Sequence, residues 1–224
     1  MNEILDRYAV LLQEVDDWFA GCVERHSALI ACHHGCSECC RGLFDITLLD
    51  ALFLKRGFDR LAPEVQETLQ IKAAGRLDAL SRQWPEFIRP WTLNHIREEL
   101  WDEIMPEDDE SPCPVLSEQG ACLLYSHRPM TCRLNGIPMI DVSGEELFDE
   151  WCSLNFVDCD PASLEDLRYP FNELFTQELL LFRELMTRLF GRGFNELDTI
   201  IPAALFLDGE TVALIRPPHN SEAD

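Results

Sequence analysis

Four cysteines fall within nine residues, Cys32-His-His-Gly-Cys36-Ser-Glu-Cys39-Cys40, in a chain of 224 residues that holds ten cysteines altogether. Chance placement rarely packs thiols so densely, and any fold this chain adopts must account for them. In an oxidising compartment they read as disulfides, whereas in a reducing one clustering reads as metal binding or redox chemistry. The start, Met1-Asn-Glu-Ile-Leu-Asp-Arg-Tyr8, mixes acids with apolar residues at helical spacing and has no basic n-region or apolar h-region. The expected compartment is therefore the cytoplasm, and the expected chemistry is metal. Neighbouring thiolates in a short loop bring soft donors to one zinc or iron at little loop-closure cost.

The rest of the chain has the texture of a helical protein. Ile4, Leu5, Tyr8, Leu11, Leu12, Val15, Trp18, Phe19 and Cys22 recur at three- and four-residue steps and predict a long N-terminal helix. Cys22 belongs to that stripe and reads as a packing residue. Thr47 before Asp50 predicts a helix start, with Leu48 to Leu54 as its body and Gly57 as its stop. Pro63 opens a helix that runs to Trp84-Pro85, and Leu93, Ile96, Leu100 and Ile104 continue in a second helical register. Pro106 to Glu110 reads as a solvated acidic loop. Ser143 with Glu146 suggests a capping box in front of Leu147, Trp151 and Leu154. Phe171 to Phe190 predicts a long helix ended by Gly191, and Asp208-Gly209 between apolar flanks suggests a C-terminal β-hairpin. The expected fold class is mainly α: one helical domain over residues 1–224, with a cysteine-rich region of loops and short strands.

Several function classes are disfavoured. No apolar run approaches the roughly 18 residues of a membrane span. A net charge of −23, from 41 acidic and 18 basic residues, repels phosphate backbones and anionic lipid. Neither nucleic acid nor membrane is therefore an expected partner. No catalytic triad or phosphate loop stands out among the acids.

A second cysteine block runs Cys113-Pro-Val-Leu-Ser-Glu-Gln-Gly-Ala-Cys122-Leu-Leu-Tyr-Ser-His-Arg-Pro-Met-Thr-Cys132-Arg133. With it the chain resembles the CxxCxxCC (YkgJ-like) cysteine-cluster family. The first block has that family's C-x3-C-x2-C-C form. The second has its Cys-Pro-x-Leu, Cys-Leu-x-Tyr and Arg-Pro-x-x-Cys-Arg pieces in order. The resemblance implies chelation of zinc or iron, by metal ion or iron–sulfur cluster, and nominates Cys32, Cys36, Cys39, Cys40, Cys113, Cys122 and Cys132 as ligands.

Seven thiols are too many for one four-coordinate site and too few for two. Cys152 and Cys159, seven residues apart and so near one helical face, are candidates to complete a second. Adjacent Cys39 and Cys40 are expected to diverge, so that only one binds the same ion as Cys36. Arg128 and Arg133 would favour thiolate at Cys132, with ion pairing to the acidic loop as their alternative role. Tyr125 is expected to pack over the site, and His33, His34 and His127 lie close enough in sequence to support it.

Cys32-x3-Cys36-x2-Cys39 is also the spacing of the radical S-adenosylmethionine motif, but a helical chain without a Gly-Gly pair does not suit that barrel. Two readings stand. One is a metal-site protein whose centre is structural or serves metal handling or electron transfer. The other is an iron–sulfur, S-adenosylmethionine-dependent protein-modifying enzyme resembling flagellin lysine methylases.

Overall fold

The N-terminal stripe becomes α1 (Asn2–Arg25) in the computed structural model, which describes residues 1–33, 35–148 and 150–216. Ile4, Leu5, Tyr8, Leu11, Leu12, Val15, Trp18 and Cys22 are its buried face. Trp18 meets Phe171 edge-on at 5.1 Å between ring centroids and donates its indole N–H to the Leu167 carbonyl at 3.1 Å. That contact docks α1 against the long helix that begins at Phe171.

A three-residue strand, β1 (Asp45–Thr47), follows the first cysteine block and leads into α2 (Leu48–Phe58). The Thr47 hydroxyl accepts from Asp50 N–H at 3.1 Å, capping α2 as the sequence indicates. Leu48, Leu49, Ala51, Leu52, Phe53 and Leu54 are all buried, so the first two turns of α2 are covered on every side and lie at the centre of the fold. The stop assigned to Gly57 is corrected. Gly57 lies inside α2, which runs one residue beyond it.

The outer helix α3 (Pro63–Gln83) buries Leu69, Ala73, Leu77 and Leu80. Past it the continuous second register gives way to 3-10 turns at Leu93–His95 and Glu98–Leu100 and to a four-residue helix, α4 (Trp101–Ile104). The cause is tertiary. Asn94 turns its side chain onto another segment, accepting from Asp198 N–H at 2.7 Å and donating to Glu196 at 2.8 Å, and Ile96 is extended. A short helix α5 (Met130–Leu134) carries Cys132, and strands β2 (Met139–Ile140) and β3 (Glu146–Phe148) pair antiparallel after it.

This hairpin replaces the helix expected from Ser143 and Glu146. The Asp141 carboxylate accepts from Ser143 N–H at 2.9 Å, and Gly144 takes a φ of 89°, so the chain reverses where a cap would have launched a helix. The segment from Cys152 to Cys159 is likewise not helical. Phe156 and Asp158 there adopt positive φ.

Helix α6 (Phe171–Phe190) ends at Gly191, in the left-handed conformation that the sequence indicates. Strand β4 (Asp198–Ile200) then pairs antiparallel with β1, Thr47 opposite Asp198, and leads into α7 (Ile201–Ala204). The expected C-terminal hairpin is a helix instead, α8 (Gly209–Leu214). Asp208 accepts from Thr211 N–H at 2.6 Å, which makes it an N-cap and not a turn residue. His219 lies outside the described residues. The fold is mainly α, about 51% helical, with only two-stranded sheets among the described residues. No helix there is long and apolar enough to cross a membrane.

The β1–β4 pairing buries acids. Burial pushes Asp198 up to about 7, and the neighbouring carboxylates of Asp45 and Glu196 push the same way. The folded chain therefore holds a proton that the unfolded chain releases between pH about 4 and about 7. Asp198 accordingly opposes folding increasingly as pH rises through that window. Asp198→Asn is expected to match the wild-type melting temperature near pH 4 and to exceed it near pH 8. The gain at pH 8 should be on the order of 2–4 kcal/mol in chemical denaturation. Parallel behaviour at both pH values would contradict this.

Candidate metal centre

The first cysteine block is a loop of tight turns. Cys36 N–H donates to the His33 carbonyl at 3.0 Å, Cys40 N–H to the Ser37 carbonyl at 2.9 Å, and Gly35 takes a φ of 90°. The second block folds back on itself, with Leu123 N–H on the Val115 carbonyl at 3.0 Å and Ser117 N–H on the Ala121 carbonyl at 2.8 Å. Two further backbone bonds join the blocks: Cys113 N–H to the Cys40 carbonyl at 2.8 Å, and Gly42 N–H to the Ser111 carbonyl at 2.9 Å. Helix α5 completes the arrangement by presenting Cys132.

A cavity of about 80 Å³ lies between these segments, lined by six cysteines: Cys36, Cys39, Cys40, Cys113, Cys122 and Cys132. Tyr125 and Arg128 also line it. Cys39 and Cys40 do not diverge as expected from an extended backbone, because the turn from Ser37 to Cys40 bends both toward the cavity, where their thiols hydrogen-bond.

All of these cysteines are free thiols. Among the described residues no three Cys, His, Asp or Glu side chains have yet converged as one ion would require. The thiols surround a common space.

Their surroundings favour the neutral form without an ion. Burial pushes Cys113 up to about 11 and Cys132 well above the usual thiol range. Cys39 is raised by its bond to Cys40 and then by burial. Against this, the backbone N–H of Val115 points at Cys113 sulfur and that of Leu124 at Cys122 sulfur, each stabilising negative charge there. Such N–H to sulfur bonds, two residues on from the cysteine, are preformed support for a thiolate ligand. The donor set is all sulfur, which suits zinc and iron.

The remaining cysteines divide. Cys32 sits beside this cavity, its sulfur 3.2 Å from the Asn155 side-chain nitrogen and within electrostatic range of Cys152, Cys36 and Cys39. Cys152 thus neighbours Cys32 and not the six. Cys159 packs against the main core. Cys22 is fully buried in α1. His127 is stacked on Phe53 at 5.0 Å and set over Gly57 of α2, which leaves it outside the thiol cavity. His34 lies outside the described residues.

Arg128 and Arg133 are ion-paired not with the acidic loop but with Asp16 of α1. Arg133 is almost wholly buried and also donates to the Arg128 and Ser126 carbonyls, so it clamps the turn before α5. Arg128 lies over the Tyr125 ring, 4.1 Å from its centroid, and its charge lowers the thiol pKa at both Cys39 and Cys122. This effect, expected at Cys132, acts instead at Cys39 and Cys122, alongside the structural role.

Three positions escape sequence reasoning. Asp50, buried in α2, accepts from Tyr8 hydroxyl at 2.7 Å and from Met130 N–H at 2.9 Å, which caps α5 from across the fold. Asp16 holds both arginines. Asn155 accepts from Ala31 N–H at 2.8 Å and donates to the Gly136 carbonyl and Cys32 sulfur. The sequence shows Asp50 only as a local partner of Thr47 and gives no sign of the other two.

Among known protein families, the CxxCxxCC model, described as a "Putative zinc- or iron-chelating domain", matches residues 31–153, just over half of the chain. No curated protein and no solved structure matches it.

His127 can approach α2 only because residue 57 has no side chain. A Cβ there would stand 2.4 Å from the imidazole Cγ. Gly57→Ala is expected to displace the turn that leads into Arg128 and α5 and to destabilise the protein by about 1–3 kcal/mol, despite alanine's better helix propensity. A denaturation midpoint at or above wild type would contradict this packing.

Proposed function

The chain belongs to the CxxCxxCC family, and we propose that it chelates zinc or iron at one centre shared by its two cysteine blocks, within a single domain of residues 1–224. The observation that carries this reading is the convergence of Cys36, Cys39 and Cys40 with Cys113, Cys122 and Cys132 on one cavity. A zinc ion or a four-iron cluster takes four thiolates, so these six suffice with ligands to spare. Arg128 offsets the negative charge of a multi-thiolate centre, and Tyr125 covers it. Cys32 and Cys152 stand outside the ligand set, as does Cys159.

Within the pair of metals, iron–sulfur is the better fit. The cavity of about 80 Å³ is several times the roughly 10–15 Å³ that one water occupies on the same measure, more room than a single zinc ion needs. A bound cluster would supply one-electron chemistry or a rigid cross-link between the blocks. The centre serves as a structural pin, in metal handling or in electron transfer, in a cytoplasmic protein. The radical S-adenosylmethionine barrel gains no support, since the sheets of the described residues are two-stranded and antiparallel.

Anaerobic purification followed by metal analysis and visible spectroscopy tests the assignment. The expected outcome is a brown protein containing iron and acid-labile sulfide. A colourless protein with stoichiometric zinc would overturn the iron–sulfur assignment while keeping the centre, and a protein with no tightly held metal would overturn both.

A further inference from the structure

A second, larger cavity of about 530 Å³ lies on the other side of Thr131 and Asn135 from the thiols, and Phe44 too borders both spaces. Its volume is that of a small-molecule site. Two features of its lining define what fits. Four aromatic side chains, Phe44, Phe148, Trp151 and Phe175, line it together with four acids, Asp45, Asp50, Glu150 and Glu178, of which Asp50 and Glu178 are the most deeply buried. None of the described residues lining it is basic.

The two carboxyl groups are not equivalent. Asp50 is satisfied by Tyr8, Met130 N–H and Thr47. The Glu178 carboxyl lies 3.0 Å from the Tyr8 hydroxyl, whose single proton goes to the closer Asp50, and among the described residues it has no ion-pair partner. Burial, with the charge of Asp50 beside it, pushes Glu178 up to about 8, so its carboxyl holds a proton near neutral pH that a bound cation would displace. Phe148 and Trp151 are 48% and 38% exposed and share the rim of this cavity, so together they offer an apolar wall that a ligand could cover.

An inorganic divalent cation takes six or more oxygen ligands, whereas much of this lining is aromatic and aliphatic. A buried carboxylate in an aromatic-walled pocket suits a cation with an apolar body, since aromatic faces attract organic ammonium groups and the walls take up the carbon chain.

We infer that this cavity binds an alkylammonium ligand, its nitrogen at Glu178 and its carbon chain among Phe44, Phe148, Trp151 and Phe175. The site is separate from the thiol centre and stands or falls without it. Both a free amine and a protein-borne ammonium side chain have this chemistry, and probes of the two kinds tell them apart.

Isothermal titration of the protein as purified, with n-butylammonium and with the neutral n-butanol, tests the inference. Butylammonium is expected to bind at least tenfold more tightly than butanol. Glu178→Gln should remove that preference while keeping wild-type metal content. Phe148→Ala, at a half-exposed position, should weaken butylammonium severalfold. A short acetylated peptide containing one lysine, if it binds more tightly than butylammonium, assigns the ammonium to a protein partner; weaker binding assigns it to a free amine. Equal binding of butanol and butylammonium, a preference retained in Glu178→Gln, or no binding of either ammonium probe would overturn the inference. Loss of metal with butylammonium binding intact bears on the thiol centre alone.

Discussion

The hydrogen bond from Cys113 N–H to the Cys40 carbonyl, together with its neighbour from Gly42 N–H to the Ser111 carbonyl, holds two distant stretches of chain edge to edge. Each block alone is a short turn with a few thiols. Joined along the backbone, they form opposite walls of one space, and only α5 is then needed to bring in Cys132. The joining requires no metal, because it uses main-chain groups that must be satisfied in any case.

What fixes α5 is a set of buried polar contacts reaching in from other helices. Asp50 of α2 caps it, Tyr8 of α1 orients that carboxylate, and Asp16 of α1 draws Arg128 and Arg133 together below it. On the other side Asn155 ties Ala31, Cys32 and Gly136 into one knot. The thiol cavity is thus held by the helical core. Because β1 runs directly from the first cysteine block into the central helix α2, a change in core packing is transmitted to the ligand loop.

The helices α1, α2, α3 and α6 were legible because apolar periodicity is local and caps such as Thr47 and Gly191 lie next to the elements they end. The failures lie where a distant partner outbids local pattern. Asn94 abandons a helical register to bind the β4 segment. Asp141 and Gly144 convert a capping sequence into a hairpin, and Asp208 caps a helix where a turn was expected. In the site, the thiols could be read from their spacing. Asp16, Asp50 and Asn155 could not, since each acts on residues more than seventy positions away and no local motif records such pairings. The turn that brings Cys39 and Cys40 to one side was hidden for a simpler reason: alternation holds for extended backbone only.

The central claim is that one centre draws ligands from both blocks. The most direct measurement is the metal content per chain of Cys132→Ala beside Cys36→Ala, each purified anaerobically. A shared centre requires both variants to lose metal and both to melt below wild type, because binding energy that closes so long a loop appears as folding energy. Full metal and an unchanged melting curve in Cys132→Ala, with both lost in Cys36→Ala, would show that the first block binds alone and that the second is not part of the centre.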